Sequence, residues 1–267
     1  MGHDPIRRPH TPADRIATIP DATLRALVDD LASPDPAVRD ERAYAALADL
    51  VRGSALGVDD RRWLGAAMVE RLGHERIEAR SFAPLVLARL VAAGDHDEQW
   101  VPAVTRWYVA ETDLRGYDSE LGWLHAVAHG ADFYGAGGVA GVGEPAELLD
   151  ALARRLVAPT TAVWRDQEDD RLACAVALVL SRAELDPALA VAWLHHVHTL
   201  FSSGAPGPVP AEASNTMRTL RSLHVALGEQ VLRGGEPVDV AVAEAVRREI
   251  AAVLAEVTPW FWRPRAR

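Results

Sequence analysis

The chain has 267 residues and a formal net charge of -10, with an isoelectric point near 5.5. An acidic surface repels the phosphate backbone of nucleic acid, so we expect no DNA or RNA partner. Its one cysteine, Cys174, excludes an intramolecular disulfide and a multi-cysteine zinc site.

Hydrophobic residues make up 49% of the chain, but aromatic residues make up only 6%. Ala, Leu and Val therefore form most of the core, which favours close helix packing over a β-sheet. The N-terminus lacks the apolar core of a signal peptide, and no stretch has the length of a membrane span. We therefore expect a soluble, cytoplasmic protein in which residues 1–20 form a disordered lead rich in Pro and charge.

Apolar residues at spacings of three and four predict a series of helices from residue 21 onward. Asp21 is a candidate N-cap for the first helix, and Asp35 followed by Pro36 begins the second. No segment shows the alternation of apolar and polar residues that predicts a strand. The later predicted helices span 59–72, 77–93, 98–114, 121–134, 145–157, 167–181, 187–201, 211–232 and 238–257.

Short connections between these helices predict an all-α fold. Residues 35–51, DPAVRDERAYAALADLV, are typical of a HEAT-type helix with an Asp-Pro start and an Ala/Leu stripe. We expect residues 21–257 to form one HEAT-like α-solenoid, a right-handed stack of antiparallel helix pairs, although no strict repeat period is legible. An irregular closed helical bundle is the alternative.

Two segments differ from this pattern. Residues 135–145, GAGGVAGVGEP, predict a flexible glycine-rich loop, because they neither follow a strand nor complete a phosphate-binding fingerprint. Residues 258–267, TPWFWRPRAR, form an aromatic and basic tail. We expect Trp260, Phe261 and Trp262 to cover an exposed end of the core, and a partner-binding anchor is the alternative.

The segment 111–132, ETDLRGYDSELGWLHAVAHGAD, carries the most reactive chemistry of the chain. It contains five carboxylates, two histidines, an arginine, a tyrosine and a tryptophan between Ala/Leu/Val-rich segments. These polar residues recur on faces that the apolar period assigns to the interior. A conflict between local chemistry and global pattern is typical of a functional site.

The same segment carries a family resemblance, through RGY followed by GWLHAVAHGAD. Further landmarks are the Arg39-Asp40 pair with Tyr44, the Arg80-Ser81-Phe82 segment, and Asn215 with Arg218 and Arg221. With these motifs the chain resembles the bacterial domain-of-unknown-function family 2785 over about residues 35–227. The resemblance implies a helical, HEAT-like protein and implies no activity.

His125 and His129 lie four residues apart, so a helix would place them on one face, with Asp132 continuing the stripe. Two imidazoles and a carboxylate at this spacing could hold a divalent metal ion with an open coordination position. The same residues could instead serve acid–base chemistry or ligand binding without a metal. They could also form purely structural hydrogen bonds with a neighbouring helix.

The residues before the histidines leave two interpretations open. Glu111 and Arg115 are spaced for an ion pair on a helix surface, and Asp113 could pair with Arg80 to fasten neighbouring repeats. If Glu111 instead faced the histidines, burial could shift its pKa towards that of a general base.

Other polar and aromatic side chains could complete a pocket. Tyr117 and Trp123 offer an aromatic wall for a small organic ligand, although core packing is the default expectation for Trp123. Asn215, Arg218 and Arg221 form a polar face that could reach a carboxylate or phosphate group in a central groove.

We therefore predict a small-molecule binding or enzymatic site, of lyase or hydrolase type, on the concave face of the helical stack. The predicted catalytic residues are Glu111, Asp113, Arg115, Tyr117, His125 and His129. The predicted ligand-binding residues are Arg80, Trp123, Asn215, Arg218 and Arg221, and the metal set is His125, His129 and Asp132. The alternative is an interaction scaffold for a protein partner, in which the polar cluster serves structure.

Overall fold

The computed structural model describes residues 21–53, 55–204 and 207–264. The predicted disordered lead lies outside these residues. Two short antiparallel hairpins interrupt the helices: β1 (Tyr117–Asp118) with β2 (Gly122–Trp123), and β3 (Leu232–Arg233) with β4 (Glu236–Pro237). The helices are α1 (Asp21–Asp30), a π-helix (Ala37–Tyr44), α2 (Ala45–Arg52), α3 (Val58–Arg71), α4 (Ile77–Ala92), α5 (Trp100–Ala110), α6 (Ala126–Ala140), α7 (Pro145–Val157), α8 (Glu168–Leu180), α9 (Pro187–Ala192), α10 (Leu194–Ser202), α11 (Ala211–Gly228) and α12 (Ala243–Val257).

The helices are arranged in two rows. One row contains α2, α4, α6, α8 and α11, each packed on the next, and the other contains α3, α5, α7 and α10. Helices that follow one another along the chain, such as α3 and α4 or α7 and α8, pack as pairs across the two rows. Contacts therefore run from each pair to its neighbours, as in an α-solenoid, and the all-α, repeat-like fold is confirmed.

The row that holds α4 and α6 forms the centre of one continuous hydrophobic core. Helix α4 buries residues on all its sides, including Phe82, Leu87 and Leu90, because α3, α2 and α6 surround it. A helix that is apolar all round is buried, and its sequence lacks the single stripe of a surface helix. No helix of the described ranges is long and apolar enough to cross a bilayer.

The predicted glycine-rich loop is wrong, because most of its glycines lie inside α6, which continues to Ala140. A Cβ on Gly138 would come within 2.8 Å of the Cα of Val179 in α8. The glycine therefore lets the backbones of α6 and α8 approach closely, as small residues do at tight helix contacts. The helix ends at Gly141, whose φ of 74° gives the left-handed C-cap that favours glycine.

The segment before α6 was also predicted incorrectly. Residues 121–125 were expected to be helical, but they form strand β2 and the turn into α6. Similarly, α5 ends at Ala110, so the predicted helical stretch 111–114 is extended chain. Gly122, with a φ of 71°, packs against Pro36, and a Cβ there would lie 2.9 Å from the proline Cβ. Local turn chemistry and tertiary contact thus replace the helix that the apolar spacing predicted.

The aromatic tail covers the core only in part. Trp262 packs against the core, as predicted, but Trp260 and Phe261 are 81% and 72% exposed. The prediction that all three cover the end of the core is therefore wrong for two of them.

We predict that Gly138→Ala destabilises the protein by about 1–3 kcal/mol, because the new methyl group overpacks a contact with backbone atoms. An Ala in place of Gly inside a helix would otherwise stabilise it by up to about 1 kcal/mol. Gly135→Ala is the matched control, since its nearest contact, at 3.3 Å, is the mobile end of the Leu178 side chain. Urea unfolding of the two variants measures the difference, and equal stability of both would contradict the close approach of α6 and α8.

Candidate functional site

A cleft of about 590 Å³ opens beside the N-terminal ends of α6 and α8. The π-helix, α4 and the β1–β2 hairpin form its other sides. It combines aromatic, cationic, acidic and imidazole groups, which is typical of small-molecule sites. Its lining residues are Asp40, Tyr44, Phe82, Leu85, Trp123, His125, His129, Arg165, Asp166, Gln167 and Arg171.

The π-helix brings Asp40 and Tyr44 to this cleft and buries Arg39 behind them. The Arg39 guanidinium donates from Nη2 to the backbone oxygens of Leu121 (2.6 Å) and Trp123 (3.2 Å), and from Nε to Asp40 Oδ1 (2.6 Å). The bonds to Leu121 and Trp123 fasten the β1–β2 hairpin to the π-helix. π-Helical turns are rare and often occur at functional sites.

The RGY motif positions the hairpin through its glycine. A Cβ on Gly116 would lie 2.3 Å from Asp166 Oδ2 and 2.2 Å from Glu168 Oε1, so no larger residue fits. The next backbone N–H, that of Tyr117, donates to Asp166 Oδ2 at 3.1 Å. This contact ties the hairpin to the loop before α8, and both sides of the cleft are held together.

His125 lies at the N-cap of α6 with a φ of 46°, in the left-handed region. Its Nε2 lies 3.1 Å from the backbone oxygen of Asp166. A carbonyl oxygen can only accept, so Nε2 carries the proton and donates. Nδ1 is then the unprotonated nitrogen, with a lone pair. Burial, together with the charge of Arg171, lowers the pKa of His125.

His129 lies one turn further along α6 and is only 7% exposed. Its Nδ1 donates to the backbone oxygen of Ser81 in α4, at 3.1 Å, which leaves Nε2 as a hydrogen-bond acceptor. Within the described residues, no side chain or backbone group donates to that Nε2. Burial, with the nearby charges of Arg171 and Arg39, lowers the pKa of His129 to about 3, so the ring is neutral near pH 7.

The two imidazoles therefore meet at one site, although only His129 lies within the helix. Their ring centres are 5.9 Å apart and their planes are nearly perpendicular, at 87°. The predicted clustering is confirmed, but its cause is the left-handed turn at His125 as well as helical spacing. Each ring is held in one tautomer by a backbone carbonyl from another part of the chain.

The backbone at the cleft is strained at two positions. His125 and Gln167 are the residues other than glycine with positive φ in the described ranges, at 46° and 66°. Both precede a helix of the same row, and both line the cleft. Such conformations cost free energy and cluster at sites where geometry serves function.

Asp132 does not complete the predicted metal set. Its carboxylate accepts two hydrogen bonds from Arg171, one of them from Nε at 3.1 Å. Burial raises the pKa of Asp132, while the Arg171 charge acts in the opposite direction. Among the residues that the structure describes, no group of three or more His, Cys, Asp or Glu side chains could hold a metal ion. The predicted set of His125, His129 and Asp132 is therefore not assembled.

Glu111 does not face the histidines, so its predicted catalytic role is not supported by geometry. It accepts a bidentate pair from Arg80, at 2.7 Å to Oε2 and 3.1 Å to Oε1, and a bond from Trp107 Nε1 at 2.9 Å. Burial acts to raise the pKa of Glu111, but the hydrogen bonds from Arg80, the Asp113 N–H and Trp107, together with the Arg80 charge, outweigh burial and lower the pKa. Arg80 therefore binds Glu111, and its predicted partner Asp113 pairs with Arg115 instead.

Asp113 and Arg115 also lie away from the cleft lining. Arg115 donates from Nε to Asp113 Oδ1 at 2.9 Å and from Nη1 to Asp118 Oδ2 at 2.7 Å. These partners replace the predicted pair between Arg115 and Glu111, which is wrong because the chain is not helical there. The resulting pairs are partly exposed and stabilise the start of the hairpin.

Asn215 and Arg218 hold the loop before α8 and do not reach into the cleft. Asn215 accepts from the Trp164 N–H at 3.0 Å and donates to the Ala162 oxygen at 2.9 Å. Arg218 pairs with Asp169 at 2.8 Å. The third member of the predicted set, Arg221, lines a separate groove. These predicted ligand-binding residues therefore support the loop that carries Arg165 or lie elsewhere.

The predicted aromatic wall is present at the cleft entrance. Trp123 is 44% exposed, so the default expectation of core packing is wrong. Its ring centre lies 4.4 Å from that of His125 and 5.0 Å from that of Tyr117. Tyr117 is 55% exposed and stands outside the lining, as a support for Trp123.

Several residues of the cleft were not predicted as site residues. Asp40, Tyr44 and Phe82 were noticed only as landmarks of the family resemblance. Arg165, Asp166, Gln167 and Arg171 lie in a polar run that is typical of a solvated helix start. The tryptophan immediately before this run, Trp164, is the signal that could have indicated a buried, ordered loop.

The fold and cleft define the chain as a helical-repeat protein with a polar and aromatic cleft on one row of helices. It belongs to the family described as "Protein of unknown function (DUF2785)", whose model matches residues 67–225. No curated protein matches the chain. Among solved structures, the designed armadillo repeat protein YIII(Dq)4CqI aligns at 13% identity and a TM-score of 0.34, over 88% of this chain and 99% of that one. The fold assignment rests on the packing of the helices in two rows.

We predict a pH-dependent contribution of His129 to stability. Its pKa is about 3 when folded and near 6.5 when exposed, so the unfolded chain binds the proton first. Stability is therefore fully present above pH 6.5 and is lost as the pH falls towards 3. Between pH 6.5 and about 4.5 the wild type should lose about 2 kcal/mol more than His129→Gln, which has no such proton. Urea unfolding across that range measures it, and parallel pH profiles would contradict the assigned burial.

Proposed function

We propose that this protein binds a small organic molecule in the cleft formed around His125 and His129. The observation that carries the proposal is the Nε2 of His129, a hydrogen-bond acceptor on a side chain that lines the cleft and to which no group of the described residues donates. An acceptor that lines a cleft without a protein donor is available to a donor group of a ligand or to water. The surrounding aromatic rings and guanidinium groups supply further contacts for an organic molecule.

The two imidazoles would act first as hydrogen-bond acceptors. Each is neutral near pH 7 and held in one tautomer, so each presents one lone pair to a hydroxyl or N–H group. An enzymatic function of lyase or hydrolase type would use the same nitrogens to take a proton from the ligand. With a pKa of about 3, His129 is a weak base, which favours hydrogen-bond acceptance over proton transfer.

A cytoplasmic location and a bacterial source are also part of this proposal. The proposed ligand is neither a divalent metal ion nor a nucleic acid. The pairing of Asp132 with Arg171, in place of a shared site with the histidines, favours a metal-free organic ligand, and the acidic chain disfavours nucleic acid.

A fragment library screened by ligand-observed NMR tests the proposal. We expect fragments that bind the wild type and lose at least about tenfold in affinity with His129→Leu, because leucine offers no acceptor in place of the imidazole Nε2. Trp123→Ala should weaken the same fragments, and since Trp123 is half-exposed this variant should fold normally.

Two variants serve as controls for this screen. His195→Gln removes an exposed histidine far along the chain and should change nothing. Glu111→Gln should lower the melting temperature while retaining the fragments, because Glu111 fastens α4 to the end of α5 outside the cleft. Fragments that bind equally well to the His129 and Trp123 variants, or no fragment at all, would refute a ligand function of the cleft.

The second candidate is an interaction scaffold for a protein partner. The observation that favours it is the exposure of Trp260 and Phe261 beside a groove lined by Arg221, Val225 and Trp262. Exposed aromatic residues are enriched at binding hot spots. Under this alternative, changes at His129 lower stability only, and the fragment screen gives no hit that depends on the cleft.

A further inference from the structure

We propose that the ligand of the histidine cleft is an aromatic molecule with a neutral hydroxyl group at its buried end and a carboxylate at its outer end. This inference rests on the proposed function and names the chemical class of ligand for that site. The hydroxyl would donate to the imidazoles, the ring would lie between the aromatic walls, and the carboxylate would meet Arg165.

The floor of the cleft selects a hydrogen-bond donor. His129 donates through Nδ1 to Ser81 and His125 donates through Nε2 to Asp166, so the two remaining ring nitrogens can only accept. A ligand group that has lone pairs but no hydrogen would leave the His129 Nε2 unpaired. A hydroxyl group can donate to that nitrogen. It is also small enough to reach His129, which is only 7% exposed.

The charges around the floor disfavour an ammonium group as the donor. The guanidinium carbon of Arg39 lies 5.1 Å from the ring centre of Phe82, and Arg171 lines the cleft. Both positive charges act against a proton on His129, and they would act equally against a cationic ligand.

The two carboxylates of the lining do not offset this preference. Asp40 already pairs with Arg39, and Asp166 accepts from the Tyr117 N–H. The donor is therefore a neutral hydroxyl and not an amine.

The walls of the cleft select a planar ring. Phe82 packs edge-on against His129 with ring centres 4.9 Å apart, and Tyr44 packs edge-on against Phe82 at 5.8 Å. Trp123 also lines the cleft, next to His125. Aromatic rings in the lining favour a flat, apolar body through stacking and edge contacts.

The outer end of the cleft offers a cation. Arg165 lines the cleft and is exposed, and no carboxylate or carbonyl of the described residues pairs with it. The other guanidinium of the outer cleft, that of Arg171, is occupied by Asp132. A carboxylate is the group that a planar guanidinium binds best, through two parallel hydrogen bonds.

Isothermal titration with five probes tests the class: 3-hydroxybenzoate, 4-hydroxybenzoate, 4-methoxybenzoate, phenol and 4-hydroxybenzylamine. We expect the better hydroxybenzoate to bind about tenfold more tightly than the methoxy compound, which cannot donate to His129. Phenol should bind about threefold more weakly than the hydroxybenzoate, with a difference that shrinks at high salt. The amine should be the weakest hydroxyl-bearing probe.

Three variants assign these preferences to residues. His129→Leu, which has no acceptor, should abolish the advantage of hydroxyl over methoxy, and Arg165→Gln should abolish the advantage of hydroxybenzoate over phenol. Should His129→Leu fail to fold, Trp123→Ala provides the second test, since loss of the Trp123 ring should weaken all five probes together. His195→Gln should bind every probe as the wild type does.

The outcomes separate this inference from the proposed function. Equal binding of hydroxy and methoxy probes, or tightest binding of the amine, overturns the ligand class. If no probe binds, but fragments of other chemistry bind through His129 and Trp123, the class is wrong and the cleft remains a ligand site. If neither probes nor fragments depend on the cleft, both proposals fail.

Discussion

The packing of α6 between α4 and α8 is the constraint on which the rest of the structure depends. Its glycines bring the α8 backbone close, with Gly138 directly against Val179. On its other side, α6 lies near enough to α4 for His129 to donate to the Ser81 carbonyl oxygen. A polar ring is thereby buried in an otherwise apolar helix contact, and that one bond fixes its tautomer and leaves its second nitrogen facing the cleft.

The cleft is built where the regular helices end. The π-helix, the β1–β2 hairpin and the two left-handed residues at the starts of α6 and α8 all lie around it. Arg39 and the carboxylates of Asp166 and Glu168 hold these irregular segments together. Each forms a hydrogen bond with a backbone group of the cleft and so restricts its conformation. Strain in the backbone is maintained only when its surroundings determine it, and here buried ionic and polar contacts do so. The regular helices therefore form a rigid scaffold, and the irregular segments between them position the polar side chains of the cleft.

Much of the fold could be predicted from the sequence, because helix periodicity and capping are local. Helix α7 was predicted at 145–157 and observed at Pro145–Val157, with Pro145 at its first turn. The segment 121–125 and the glycines of α6 were predicted incorrectly, since turns and close backbone contacts depend on residues distant in the chain. Of the site, the His125 and His129 pair was predicted, but Arg165 and Asp166 were not. Their run of charged residues resembles a solvated helix start. Contacts of Asp166 with Gly116, Tyr117 and His125, which lie far away in the sequence, place it at the cleft. Glu111 is of a residue type that often serves as a catalytic acid or base. Its pairing with Arg80 depends on how α4 packs near the end of α5, which residue spacing does not predict.

The most direct test of this account is the protonation state of the His129 ring, read from long-range ¹⁵N–¹H NMR of histidine-labelled protein. We predict a neutral ring with its proton on Nδ1, unchanged as the pH is lowered to about 5. A ring with its proton on Nε2, or one that becomes protonated above about pH 5, would contradict the Nε2 acceptor on which the proposed ligand site depends.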